Sequence, residues 1–286
     1  MYHIGVDLGG TKIEGAILDH NHSILKRQRV STPDSYTQIL ETIQHMIHQL
    51  DLGTHTIGIG TPGTVGPDGR IIGSNLKYIR GRHLKRDIED NLNASISMGN
   101  DADCFVAAEA TLGAGTSYSV VFGSIMGTGV GGGISVNGDV IYGSVGMAGE
   151  WGHSTLYPNG TPCWCGKRGC VEAYISGPAL QQIWYKENHT YMSIPDIIEQ
   201  QPSGYTEWKD TFVDNFGLAL SNVMQILNPD CIVLGGGLSN IDFLYNEGRD
   251  AVKKLTPECN TPILQNSLGD SSGVIGAALL GATEAL

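Results

Sequence analysis

Tyr2-His3-Ile4-Gly5-Val6-Asp7 is a short, mostly apolar run, and the apolar pattern resumes from Ile13 to Leu18, so a β-hairpin is predicted that turns at Leu8-Gly9-Gly10-Thr11-Lys12. A third strand, Ser23 to Val30, completes a meander. From 36 to 50 the period lengthens. Ile39, Ile43, Met46, Ile47 and Leu50 recur at helical spacing behind Pro33-Asp34, which predicts a helix, and Thr56 to Gly60 then reads as a buried strand. Ala94 to Met98 reads as a strand and Ala102 to Leu112 as an Ala-rich helix. Asn100-Asp101 therefore falls at a strand-to-helix junction, a place where α/β proteins set ligand groups.

After Gly113-Ala114-Gly115 the pattern restarts. Tyr118 to Met126 is an apolar strand, Gly127 to Gly133 a glycine turn and Ile134 to Val136 a return strand. Helices follow near 178–187 and 206–227, then a strand Cys231 to Leu234 ending in Gly235-Gly236-Gly237, a further helix, and a small-residue helix from Ser271 to Leu286. Each half carries a strand, a Gly-Thr turn and another strand, as a duplicated unit would. The expected domains are 1–115, joined by the C-terminal helix 271–286, and 116–270, which holds a loop 150–172 rich in candidate chemistry.

Composition narrows the function classes. With 286 residues, 41% of them hydrophobic, the chain can bury real cores, yet no apolar run approaches the roughly 20 residues that span a bilayer. A net charge of −12 argues against nucleic acid and anionic membrane surfaces, and the basic stretch Arg80 to Arg86 reads as the start of a solvated helix. No charged-then-apolar leader precedes Asp7, so a reducing, cytoplasmic setting is expected. Forty glycines without linker periodicity suggest many tight turns and close backbone approaches to a ligand.

His153, Cys163, Cys165 and Cys170 lie within eighteen residues of one another. Three thiols and an imidazole complete a tetrahedral zinc site with no vacancy for a substrate water, so the metal would be structural. Free or oxidised thiols are the alternative, and Cys104, Cys231 and Cys259 read as scattered core or surface residues. A zinc would turn a segment rich in Gly and Pro into a platform that fixes Glu150 and Glu172. Those two and His153 offer acceptors for adjacent hydroxyls; support of the metal ligands is their plainer role. In the turn around Asp7, Gly9 and Gly10 let N–H groups face an anion, Thr11 and Lys12 add donors, and Asp7 can hold a metal, a set that suits ATP with Mg2+. Thr128 and Gly129 offer a second such turn, and Gly235, Gly236 and Gly237 a flat seat for base or ribose. Asp101 is a candidate general base for a hydroxyl attacking phosphorus, or simply the N-cap of its helix.

Asp7 to Lys12, Thr61-Pro62-Gly63, Asn100-Asp101-Ala102, Gly127-Thr128-Gly129, Glu150-Trp151-Gly152-His153, Cys163-x-Cys165-Gly166-x-x-Gly169-Cys170-x-Glu172 and Leu234 to Gly237 together resemble the ROK family of bacterial sugar kinases and repressors. The resemblance implies an actin-like (ribonuclease H-like) ATPase fold, two α/β domains around a central cleft, with ATP, Mg2+ and a structural Zn2+. It implies Asp101 as catalytic base, sugar contacts from Asn100, Asp101, Glu150, His153 and Glu172, and nucleotide at the glycine turns. Asn75, in the loop Ser74 to Arg82, is a further candidate sugar contact. His153 would serve metal and sugar through its two ring nitrogens. With the phosphate turn starting at residue 7, no DNA-reading segment is expected; a homodimer is.

Asn228-Pro229-Asp230, Leu238 to Asp242 and Gly269 to Gly273 look most like the fructokinase (mannokinase) branch. Phosphorylation of the 6-hydroxyl of a hexose, fructose or mannose preferred, is therefore the leading expectation. The alternatives are an N-acetylglucosamine or N-acetylmannosamine kinase or a glucokinase, a sugar-binding regulatory protein, and a structural ATPase of the actin-like class. One position departs from the family: Asp103 stands where Asn is usual. If it faced Asp101 it would raise that group's pKa, but the spacing turns it elsewhere.

Overall fold

The computed structural model describes residues 1–283. Along the chain run β1 (Tyr2–Leu8), β2 (Lys12–Leu18), β3 (Ile24–Ser31), α1 (Tyr36–Leu50), β4 (His55–Thr61), the short β5 (Thr64–Val65) and β6 (Ile71–Ile72), α2 (Leu84–Leu92), β7 (Ser97–Asn100) and α3 (Asp101–Thr111). Then come β8 (Val120–Met126), β9 (Val130–Val136), β10 (Asp139–Val140), α4 (Glu172–Ile175), α5 (Gly177–Asn188), α6 (Ile194–Gln200), α7 (Tyr205–Leu227), β11 (Cys231–Gly235), α8 (Glu247–Leu255), β12 (Ile263–Gln265) and α9 (Ser272–Thr283). The expected last helix is α9, and the part of that expectation beyond 283 lies outside the described residues.

The chain forms two compact units. One comprises Met1–Ser119, Gly133–Ala148 and the chain from Ser267; the other comprises Val120–Gly132 and Gly149–Asn266. The expected boundaries at 115/116 and 270/271 fall instead at 119/120 and 266/267, and residues 133–148 belong with the first unit. Backbone proximity explains it, since a Cβ on Gly133 would come within 2.6 Å of the Ala102 carbonyl oxygen, and Val140 and Tyr142 pack on the buried cluster of Cys104 and Ala107.

In the first unit the sheet order is β3-β2-β1-β4-β7, with β1 antiparallel to β2 and parallel to β4, and β4 parallel to β7. One face carries Ile4, Val6 and Leu8 against Ile39, Ile43, Met46, Ile47 and Leu50 of α1 and Leu84 and Ile88 of α2. Full burial of each such side chain contributes about 1.5–3 kcal/mol. Ser35 caps α1 by accepting from the Gln38 N–H at 3.3 Å. On the other face the helix backbone itself lies on the strands: a Cβ on Gly5 would stand 2.1 Å from the Val274 oxygen, and one on Gly58 1.8 Å from the Ala277 oxygen. Only glycine admits α9 so closely.

Glu109 of α3, fully buried, locks that helix in place. Its carboxylate accepts from the Ala114 N–H (2.9 Å), the Ser267 and Leu268 N–H groups (3.1 Å each) and the Ser272 hydroxyl (3.1 Å). Several donors aimed at both oxygens are what a buried carboxylate needs to remain tolerable.

The second sheet has the order β10-β9-β8-β11-β12, with β11 parallel to both β8 and β12. Both sheets thus consist of an antiparallel meander continued by two parallel strands, in the same sequential order. The second unit buries Trp208, Phe212, Phe216, Leu220 and Met224 along α7, with Trp184 edge-on to Trp208 at 6.3 Å. Among the described residues no helix is long and apolar enough to cross a membrane.

Candidate functional site

The chemistry-bearing residues form two clusters, one in each unit. In the first, register brings three strand ends together: Asp7 of β1 pairs with Gly60 of β4, and Thr61 of β4 pairs with Asn100 of β7. The turn after β1 closes through Gly9 N–H to the Lys12 carbonyl (2.9 Å), and Thr32 clamps it, its hydroxyl donating to the Gly9 oxygen (2.7 Å) and its N–H to the Thr11 oxygen (3.0 Å). Gly10 has open space around it and Thr11 is exposed. Lys12 lies 3.7 Å from the buried Glu14 carboxylate, which also binds Arg27 and Arg29.

Asp7 carries the clearest electrostatic signature. Burial, then the neighbouring Asp101 and Glu14 charges, raise its pKa from 3.8 to about 6, although Lys12 and Arg29 oppose the shift. The start of α9 presses on the same carboxyl, since a Cβ on Gly273 would lie 2.6 Å from its Oδ2. A buried carboxyl whose ionisation is made costlier still by neighbouring carboxylates forms a site that a divalent cation would relieve, so this donor set fits Mg2+.

Asp101 is the first helical residue of α3 and not its cap. Asn100 caps the helix, accepting from the Asp103 N–H at 2.7 Å, and Asp103 returns the bond by accepting from the Asn100 N–H at 3.1 Å. The Asp103 carboxylate is therefore directed at backbone. Asp101 Oδ1 accepts from the Ala102 N–H at 3.0 Å. Its side chain is reachable by solvent, yet the mass of protein around it raises its pKa, against N–H bonds that lower it. Asn75 is exposed next to the buried Ser74, whose carbonyl accepts from the Arg80 guanidinium. The Thr61 hydroxyl, at the end of β4, is buried without a hydrogen-bond partner.

In the second unit the His153, Cys163, Cys165 and Cys170 ligand atoms all lie within 4.8 Å of one another. His153 Nδ1 stands 3.6 Å from Cys163 Sγ, and Cys165 Sγ 3.6 Å from Cys170 Sγ. A tetrahedron with Zn–S bonds near 2.3 Å has edges of about 3.8 Å, so the donors fit that ion closely, with Nδ1 as the imidazole ligand. Burial and the surrounding thiols push Cys170 up to about 12, the strain a metal would remove by taking thiolates. The loop is not held by such a centre alone, contrary to the sequence expectation. Tyr157 stacks edge-on to Tyr174 at 4.9 Å and donates to Asn215 of α7 at 2.7 Å, and Thr161 N–H donates to the Tyr174 hydroxyl at 2.8 Å.

Glu150 immediately precedes a short 3-10 turn, Trp151–His153, and Glu172 opens α4. Glu172 Oε2 accepts from the Val130 N–H (2.9 Å) and Oε1 from the Trp164 indole N–H (2.5 Å). Val130 directly follows Thr128 and Gly129, so this carboxylate joins the loop of cysteines to the glycine turn. That turn closes through Gly127 N–H to the Gly129 oxygen (2.9 Å), and Gly127 accepts from the Gly177 N–H (2.7 Å). Gly235 pairs in register with Ile125, which sets Gly235 to Gly237 beside the turn. Gly236 has φ +77°, and a Cβ there would lie 2.4 Å from the Met126 oxygen. Trp164, Thr32 and Glu109 carry no sequence motif.

A family model described as the ROK family matches residues 3–284. Over 96% of this chain and 98% of its own length, an N-acetyl-D-glucosamine kinase of Erwinia tasmaniensis is 35% identical. The N-acetylgalactosamine kinase AgaK of Shewanella sp. is 36% identical over 98% of this chain and 96% of its own. A crystal structure of a ROK hexokinase from Thermus thermophilus superposes with a TM-score of 0.93 at 26% identity, covering 100% of this chain and 99% of that one.

Proposed function

We propose, from the premise that this chain belongs to the ROK family and has its actin-like ATPase fold, that it is an ATP-dependent sugar kinase acting on the 6-hydroxyl of an N-acetylhexosamine. The observation that carries the substrate class is the full-length similarity to two N-acetylhexosamine kinases. It favours the alternative over the fructose or mannose preference suggested by Asn228-Pro229-Asp230 and its companions.

In this reading Asp101 accepts the proton of the attacking hydroxyl as oxygen bonds to the γ-phosphorus and ADP leaves. Its raised pKa makes its carboxylate a better proton acceptor than an ordinary surface one. The turn Gly9, Gly10, Thr11 and Lys12 supplies phosphate donors, with Thr128, Gly129 and Gly235 to Gly237 for the rest of the nucleotide. Asp7 would hold Mg2+, which when bound neutralises charge on the phosphates. Asn75, Asn100, Glu150, His153 and Glu172 would read sugar hydroxyls. His153, with Nδ1 turned to the cysteines, keeps Nε2 for that purpose. A zinc held by His153, Cys163, Cys165 and Cys170 would be structural.

The test is a panel of N-acetylglucosamine, N-acetylgalactosamine, N-acetylmannosamine, glucose, fructose and mannose at fixed ATP, read by coupled ADP release. An N-acetylhexosamine is expected to give the highest kcat/KM. A higher value for fructose or mannose would reverse the assignment, and sugar-independent ATP turnover would remove it.

A further inference from the structure

We infer that Trp164 is a positioning residue for the sugar contact Glu172, an inference that rests on the reading of Glu172 given above. Trp164 occupies the middle of Cys163-x-Cys165, so both of its neighbours belong to the proposed metal set. Its side chain is 68% exposed, whereas Trp151, Trp184 and Trp208 are buried. A large indole left in water at that point is explained by what its edges touch. The Nε1–H donates to Glu172 Oε1 at 2.5 Å, and the ring meets His153 edge-on, with centroids 5.0 Å apart at 82°. One side chain thus contacts two of the candidate sugar-reading groups of this unit.

The consequence for Glu172 is orientational. Its two oxygens are held from opposite sides, Oε2 by the Val130 N–H and Oε1 by the indole, which fixes the plane of the carboxylate. Each oxygen keeps a second lone pair, and a fixed carboxylate with one acceptor direction left on each oxygen suits two neighbouring hydroxyls of a sugar. Without the indole donor, Oε1 is untethered and the carboxylate can turn about its last torsion. The sugar must then order it on binding. Loss of one hydrogen bond to a charged group corresponds to about a tenfold loss of affinity.

Trp164→Phe keeps a ring between the cysteines and removes the donor. N-acetylglucosamine is titrated calorimetrically without nucleotide, KM is measured for sugar and for ATP, and zinc is quantified by atomic absorption. Expected for Trp164→Phe are about tenfold increases in sugar Kd and sugar KM, an ATP KM within twofold of wild type, and unchanged zinc content. Tryptophan emission should shift when sugar binds the wild type and remain unmoved in the variant. A sugar Kd within twofold of wild type overturns the inference, as does a loss of affinity that comes with loss of zinc, because the indole would then only shield the metal. If the wild type itself binds none of the sugars in the panel above, the reading of Glu172 fails and the inference with it. If the wild type binds and the variant binds equally, the inference alone fails.

Discussion

Replacing Asp7 by Asn should make the ligand-free protein more stable while disabling it. Raising a carboxyl from 3.8 to about 6 on folding corresponds to about 3 kcal/mol against the native state once the group is ionised. The sign follows from the direction of the shift: the folded form holds its proton more tightly, so the cost is absent below 3.8, grows between 3.8 and 6, and is complete at neutral pH. Asn has the same shape and no charge, so Asp7→Asn should recover most of that amount at pH 7.5 and about 1 kcal/mol at pH 4.5. At about 2–4 °C per kcal/mol the thermal midpoint should rise by about 5 °C or more at pH 7.5. The assay is a pair of melting curves for each protein at both pH values, with and without a non-hydrolysable ATP analogue and Mg2+. Wild type should gain more from nucleotide and metal than the variant, and coupled ADP release should fall by about a hundredfold or more. A variant less stable than wild type at pH 7.5, or a gain of equal size at both pH values, would refute the account of Asp7 as a charge confined beside Asp101 and Glu14.

Asp101→Ala should reduce turnover by about a hundredfold or more with the melting temperature retained, and in wild type the acid limb of kcat/KM should lie above the ordinary carboxylate range, with activity lost as pH falls. Asp103→Asn should leave kcat within about threefold at neutral pH, because that side chain faces the Asn100 N–H and an amide oxygen can accept there too; a tenfold change in kcat would contradict it. Cys165→Ser should cost zinc, measured by atomic absorption, and lower sugar affinity and melting temperature together, although Tyr157 and Tyr174 should keep part of the loop in place. Glu109→Ala should cost more than about 3 kcal/mol in urea unfolding, since it strands several buried donors at once.

Much of the first unit was legible because its periodicities are clean: α1 runs from 36 to 50 as its five buried positions require. The second strand of the other half was not. Gly131, Gly132 and Gly133 read as turn, yet they lie inside β9, where Gly132 makes room for Trp151 and Gly133 for the Ala102 backbone. Close approach from elsewhere in the fold leaves no local trace. Only the start of α2 was anticipated, since just Leu84 and Ile88 are buried among charged neighbours. The three residues of β12 gain their form from pairing with β11. In the candidate site, residues grouped along the chain, such as His153 to Cys170, could be read from spacing. The N-cap is Asn100 with Asp103 as its partner, a matter of backbone angles, and no spacing marks Trp164 as the donor to Glu172.

The seating of α9 on β1 and β4 bears on how the polypeptide acquires its form during synthesis. β1 and β4 precede the second unit along the chain, but the helix that lies on the glycine-bearing face of their sheet is translated only after the whole second unit has been made. Until then that face is covered only in part, by α3, and the strip that α9 occupies is open to wetting, to molecular chaperones and to wrong partners. Strands made before the second unit are thus among the last to mature.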